Sequence, residues 1–159
     1  MSTQVIYFSK HGHTERAAQA IAGKLGVEAH QIIERDTYSD ADLNWRVDEC
    51  RANQEQWNPE TRVPAANADE IIDLIQDATV LYLGYPIWWG KAPRIIVTIA
   101  EQVQKINPNL ELHIFVTSGG SGVAATAPEV QFALGASHTA KSALIHMDNI
   151  EGDVDALLA

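Results

Sequence analysis

The 159 residues are 46% hydrophobic, enough for one domain spanning 1–159 to bury a sizeable core with no second domain needed. Twenty-one acidic residues against 11 basic ones give a formal net charge of −10 with no basic cluster, which argues against nucleic acid and anionic membrane as partners and suits a protein partner with a basic face. No apolar run approaches the roughly 18–20 residues of a membrane span, the N-terminus carries no leader pattern, and the lone Cys50 cannot form an internal disulfide, so a cytoplasmic setting is expected.

Gln4-Val5-Ile6-Tyr7-Phe8 is a short apolar run that predicts the first strand. Ser9-Lys10-His11-Gly12-His13-Thr14 follows as a hydroxyl-bracketed turn, and Ala18, Ile21, Ala22 and Leu25 then recur at helical spacing up to Gly26. A strand, polar turn and helix in succession aim backbone N–H groups and the positive end of the helix dipole at one point, a reasonable phosphate cradle. The plainer alternative makes Thr14 a helix N-cap and Gly12 a tight turn. The chain has neither a Gly-x-x-x-x-Gly-Lys-Ser/Thr nor a Gly-x-Gly-x-x-Gly pattern, which argues against a P-loop NTPase and a dinucleotide fold. His11 and His13 could form a metal pair, but no carboxylate or cysteine stands nearby at ligand spacing.

Val27 to Ile33 is the second strand candidate. From Asp36 to Asn67 the pattern becomes an irregular polar excursion with Trp45, Trp57, Asn58-Pro59 and Val63-Pro64, long enough to be functional or to hide a short helix, and able to fold over the sheet edge. Asn67-Ala68-Asp69-Glu70 supplies start signals for a helix bearing Ile71, Ile72 and Ile75.

Ala78-Thr79-Val80-Leu81-Tyr82-Leu83 reads as a strand buried on both faces, and it runs into Gly84-Tyr85-Pro86-Ile87-Trp88-Trp89-Gly90. Beyond Pro93, the 3-4-3 spacing of Ile96, Ile99, Val103 and Ile106 marks a helical stripe. The tryptophans therefore stand at the carboxyl end of a strand, the edge where open α/β sheets bind ligands. Packing over the sheet edge and stacking on a ligand both remain open for them, though two neighbours in an extended loop point different ways.

Leu112-His113-Ile114-Phe115-Val116 predicts the fourth strand, ending in Thr117-Ser118-Gly119-Gly120-Ser121-Gly122, whose glycines admit a close backbone approach. Gly-x-Ser-x-Gly is not satisfied, so no nucleophile elbow is expected. Helix signals cover 126–134 with Pro128 early, Ala143 to Met147 reads as the fifth strand, and a last helix carries Val154, Leu157 and Leu158. Five strands alternating with helices specify an α/β doubly wound parallel sheet with helices on both faces. In the order 2-1-3-4-5, the loops after strands one, three and four open onto one edge.

Those three loops together resemble the flavodoxin-like family, in particular the short-chain branch with a Gly-Tyr-Pro-Ile-Trp-Trp-Gly loop. Asp42-Leu43-Asn44-Trp45, Arg51, Glu55 and Arg62-Val63-Pro64 in the excursion extend the likeness over nearly the whole chain. The resemblance implies FMN. Ser9, Lys10, His11, Gly12, His13 and Thr14 would hold its phosphate through backbone N–H groups and hydroxyls. Pro86, Ile87, Trp88, Trp89 and Gly90 would line the isoalloxazine, and Ser118, Gly119, Gly120 and Gly122 would meet its polar edge. One departure stands out: His11 and His13 replace the threonine and asparagine of the family's usual Ser-x-Thr-Gly-Asn-Thr loop, placing two imidazoles beside the expected phosphate.

A flavin walled by tryptophans in an acidic protein resists gaining negative charge, which fits low-potential electron transfer between redox partners with no catalytic side chain. The alternative is an NAD(P)H-dependent FMN oxidoreductase acting on quinones or similar small acceptors. A third reading is a non-redox interaction module on the same scaffold.

Overall fold

In the computed structural model, which describes residues 2–118 and 139–159, the strands are β1 (Thr3–Tyr7), β2 (Ala29–Gln31), β3 (Val80–Pro86), β4 (Glu111–Thr117) and β5 (Thr139–Leu144). They form one sheet in the order β2-β1-β3-β4-β5, and every neighbouring pair is parallel. Parallel neighbours need crossover connections, supplied among the described residues by α1 (His13–Leu25), α2 (Arg51–Trp57), α3 (Ala68–Gln76) and α4 (Arg94–Ile106), while α5 (Ile150–Leu158) follows the last strand. This is the flavodoxin-like doubly wound arrangement expected from the alternation of apolar runs and helical periods. The helix expected over 126–134, with Pro128, lies outside the described residues, as do Gly119, Gly120 and Gly122.

Alternation along the strands splits the core into two layers. Ile6, Leu81, Leu83, Leu112, Ile114 and Val116 face α3 and α4, whose Ile71, Ile75, Ile96, Ile99 and Val103 complete one cluster. Val5, Tyr7, Tyr82 and Phe115 face the other way, onto Ala18 and Ile21 of α1 and Val154 and Leu157 of α5. The helical stripes read from the sequence are thus the faces that bury.

β1 and β4 shift by a single residue at each end, and three elements depart further from expectation. β2 keeps only three residues of the expected Val27–Ile33, because Val27 still closes the end of α1, its N–H bonding Ala22 O at 3.0 Å behind the left-handed Gly26. β3 starts later and runs on through Gly84 and Tyr85 to Pro86, since those residues pair with Phe115 to Thr117 of β4 and Pro86 falls at the strand end, where a missing donor is tolerated. β5 lies earlier than the expected Ala143–Met147. It is an edge strand whose Lys141 and Ser142 are exposed, so its first half carries no apolar run to read. Within the excursion, α2 is the hidden helix, and Cys50 is its N-cap, the sulfur accepting from Asn53 N at 3.4 Å.

Candidate functional site

A cleft of about 720 Å³ opens at the carboxyl edge of the sheet, where the chain leaves β1 for α1 on one face and β3 for α4 on the other. Ser9, Lys10, His11, His13 and Thr14 form one wall, Pro86, Ile87, Trp88 and Trp89 another, and Thr117 and Ser118 stand at the end of β4. The first two loops expected at a site therefore meet at one cleft, joined by Ser118, the one expected residue of the third loop that is described. Gly12 and Gly90 shape the turns behind these walls rather than forming them.

The first loop is built around Gly12, the residue before α1, at φ 89°, a left-handed conformation that costs glycine little. Its N–H donates to Ser9 Oγ at 3.2 Å, and α1 has no side-chain cap. The first-turn N–H groups of His13, Thr14 and Glu15 have no intrahelical acceptor, so the positive end of a 13-residue helix meets the cleft without a side chain to satisfy it. The cap position belongs to Gly12, not Thr14. Thr14 is buried one step inside the helix, its hydroxyl 2.7 Å from that of Thr117, which ties the first loop to the end of β4.

Among the described residues lining the cleft, Lys10 is the lysine or arginine, and its ammonium is engaged elsewhere. Nζ lies 2.5 Å from Glu34 Oε1, with Glu34 buried. Burial alone would raise the Glu34 carboxyl, but hydrogen bonds from Lys10 and from the backbone N–H groups of Glu34 and Tyr38, with the charge of Lys10, hold it below the ordinary carboxylate range. An anion in this cleft would meet dipoles and hydroxyls rather than a free lysine.

The tryptophan stretch is a two-residue hairpin. Trp88 N–H donates to Lys91 O at 2.8 Å, Lys91 N–H donates to Trp88 O at 2.9 Å, and the two central residues, Trp89 and Gly90, have φ of 54° and 71°. Two positive φ values define a type I′ turn. Glycine adopts this readily, whereas for tryptophan the left-handed region costs about 1–2 kcal/mol. The two rings stand perpendicular, edge to face, with 6.1 Å between centroids and 90° between planes. Trp88 does the packing: its ring meets Phe8 edge-to-face at 5.6 Å and Tyr38 at 5.5 Å.

The excursion closes over this turn. Arg51 stacks on the Tyr38 ring at 3.9 Å and bonds Glu55 at 2.8 Å, and Glu55 accepts the Tyr38 hydroxyl. Burial, then the bond to Glu55, pushes the Tyr38 phenol well above its ordinary range, keeping it a proton donor. Buried Gln56 donates to Trp88 O at 3.1 Å and Ala92 O at 3.2 Å, and buried Arg94 bonds the carbonyls of Glu55 and Gln56, both at 3.2 Å.

Six further residues line the cleft that sequence reasoning did not assign to it: Leu43 and Trp45 from the excursion, Thr117 at the end of β4, and His146, Met147 and Asp148 after β5. The first pair had a signal, apolar side chains in a polar stretch long enough to cover the edge. His146 and Met147 had none, because they read as the end of an apolar strand. In fact β5 ends at Leu144, and His146 turns toward Asp153, whose Oδ2 accepts its backbone N–H at 2.7 Å and lies 2.8 Å from Nδ1. Those contacts, the backbone bond foremost, hold the Asp153 carboxyl below its ordinary range.

The family model for flavodoxin matches residues 2–155. No curated protein matches the sequence. Among solved structures, a protein of Bacteroides eggerthii DSM 20697 assigned as a flavoprotein is 28% identical, with a TM-score of 0.83 over 99% of this chain and 93% of that one. A protein of Bacteroides uniformis ATCC 8492 with the same assignment is 25% identical, also with a TM-score of 0.83, over 99% of this chain and 98% of that one. A flavoprotein of Lactobacillus acidophilus NCFM in complex with FMN shares the fold, at 20% identity and a TM-score of 0.72 over 99% of both chains. A family match across nearly the whole chain, on a sheet of the order β2-β1-β3-β4-β5, means that this protein belongs to the flavodoxin family.

Proposed function

We propose that the cleft binds FMN and that the protein, a cytoplasmic short-chain flavodoxin, carries electrons at low potential between redox partners. The observation that carries this reading is the pairing, across one cleft, of an uncapped helix N-terminus with a tryptophan turn. The donor set fits a phosphate, because free first-turn N–H groups and the hydroxyls of Ser9 and Thr14 suit an anion without needing a lysine. The apolar walls fit a flat ring. An uninterrupted β5 is consistent with the short-chain branch.

In this reading, the backbone from Lys10 to Thr14, Gly12 included, and the hydroxyls of Ser9 and Thr14 hold the phosphate. Pro86, Ile87, Trp88, Trp89 and Gly90 wall the ring system, and Ser118, Gly119, Gly120 and Gly122 meet its polar edge. Bound FMN would supply the redox chemistry. The tryptophans exclude water, and the fixed negative charge of the chain disfavours added negative charge in the cleft, which keeps the potential low. No side chain is required as an acid or base. The acidic surface favours redox proteins with a basic docking face.

The test is FMN titration of the apoprotein, followed by anaerobic reduction with NADPH alone and then with a ferredoxin-type reductase added. Stoichiometric binding and reduction only in the presence of the reductase are expected. Rapid reduction by NADPH alone would instead assign an NAD(P)H-dependent FMN oxidoreductase, with the Leu43–Trp45 wall as the place for its small acceptor. Failure to bind FMN would overturn the cofactor assignment.

A further inference from the structure

We propose that Gln56 is a positioning residue that locks the tryptophan turn in its left-handed form, and that holding this turn is the role of the 36–67 excursion. Gln56 is 2% exposed and does not line the cleft. A glutamine amide has two N–H donors, and Nε2 serves two carbonyls, Trp88 O at 3.1 Å and Ala92 O at 3.2 Å, one at each side of the turn. Between them sits Trp89, whose φ of 54° its own side chain disfavours. Gly90 is suited to the turn by itself; Trp89 has to be held there.

The holder is itself fixed. Arg94, 1% exposed, binds the carbonyls of Glu55 and Gln56, and Lys91 Nζ lies 3.4 Å from Gln56 O, so α2 and the turn are bonded in both directions. One residue earlier, Glu55 receives the hydroxyl of Tyr38, whose ring braces Trp88. Residues 38, 55 and 56 therefore grip Trp88 by ring and by carbonyl. The strained residue beside it presents its indole to the cleft as a consequence. If Gln56 only satisfied buried carbonyls, its loss would weaken the whole fold evenly; a lock releases the turn first.

Amide hydrogen exchange of the 15N-labelled apoprotein separates these. In Gln56→Met, nearly the same length and apolar, the Lys91 amide that closes the turn exchanges about tenfold faster, the scale set by two neutral hydrogen bonds, while central β3 amides keep their rates. Adding Trp89→Asn shrinks that acceleration, because asparagine tolerates the left-handed region. Should Gln56→Met fail to fold, Trp89→Asn alone decides: relief of the strain slows Lys91 exchange, and an unchanged rate overturns the lock. An unchanged Lys91 rate in Gln56→Met, or an equal acceleration across β3, also overturns it. Resting on the FMN reading, the same variant binds FMN several-fold more weakly; an opened turn with undiminished affinity refutes the positioning role. If wild-type protein does not bind FMN, the cofactor reading fails alone, and exchange still decides the lock.

Discussion

Lys10 shows how a side chain's neighbourhood overrides its address. It stands in the loop expected to hold a phosphate, yet its ammonium is committed to buried Glu34. Removing it as Lys10→Met leaves a buried carboxylate with only the backbone N–H groups of Glu34 and Tyr38 as donors. A loss of about 2–3 kcal/mol at pH 7 in urea unfolding is expected, below the cost for a fully buried pair because Lys10 is partly exposed. The pH dependence has a definite sign. Because the folded pKa of Glu34 is depressed, its stabilisation is fully present above the ordinary value of 4.5 and is lost as pH falls through the folded value. The deficit of Lys10→Met should therefore shrink below about pH 4.5, where a protonated Glu34 no longer needs the cation. A deficit constant down to pH 3 would mean that the pair is not its source.

At the scale of elements, β3 and the excursion set the shape of the cleft. Gly84 lets β3 lie against its neighbour: a Cβ there would stand 2.1 Å from the ring of Phe115, itself buried among residues of α1 and α5. Gly84→Ala is expected to cost about 1–3 kcal/mol in chemical denaturation, the usual range for overpacking. Wild-type stability would mean that the Phe115 ring turns away freely. This requirement was hidden in the sequence, where Gly84 reads as the start of a loop, because the ring that demands it belongs to β4. The excursion was legible as a stretch able to fold over the sheet edge, and Leu43 and Trp45 do line the cleft. Its bonds to the tryptophan turn were not legible, since nothing local distinguishes Gln56 from an exposed helical glutamine.

For the molecule as a whole, the charge of −10 is the property that bears on partners. If electrons arrive from a protein with a basic face, attraction steers the encounter and salt screens it, the Debye length shrinking to about 10 Å at 0.1 M. The second-order rate of reduction by a basic-faced reductase should fall steeply as ionic strength rises from about 0.02 to 0.3 M, measured by stopped-flow absorbance. A rate indifferent to salt would remove the basic partner from the reading.

For the described residues, the sequence by itself determined the strand and helix types, the sheet class and the loops after β1 and β3 that meet at one edge. Apolar runs, helical stripes and glycine or proline breaks express preferences acting within a few residues, so they survive without knowledge of the fold. Tertiary structure alone decided which side chains meet: Thr14 with Thr117, Lys10 with Glu34, and Gln56 with the carbonyls of Trp88 and Ala92. It also decided that β5 ends early enough to leave His146 at the cleft. These pairings join residues 24 to 103 positions apart. Each partner is chosen by the positions that the assembled sheet brings together and by burial that leaves a polar group one acceptor within reach, and neither exists until the layers have packed.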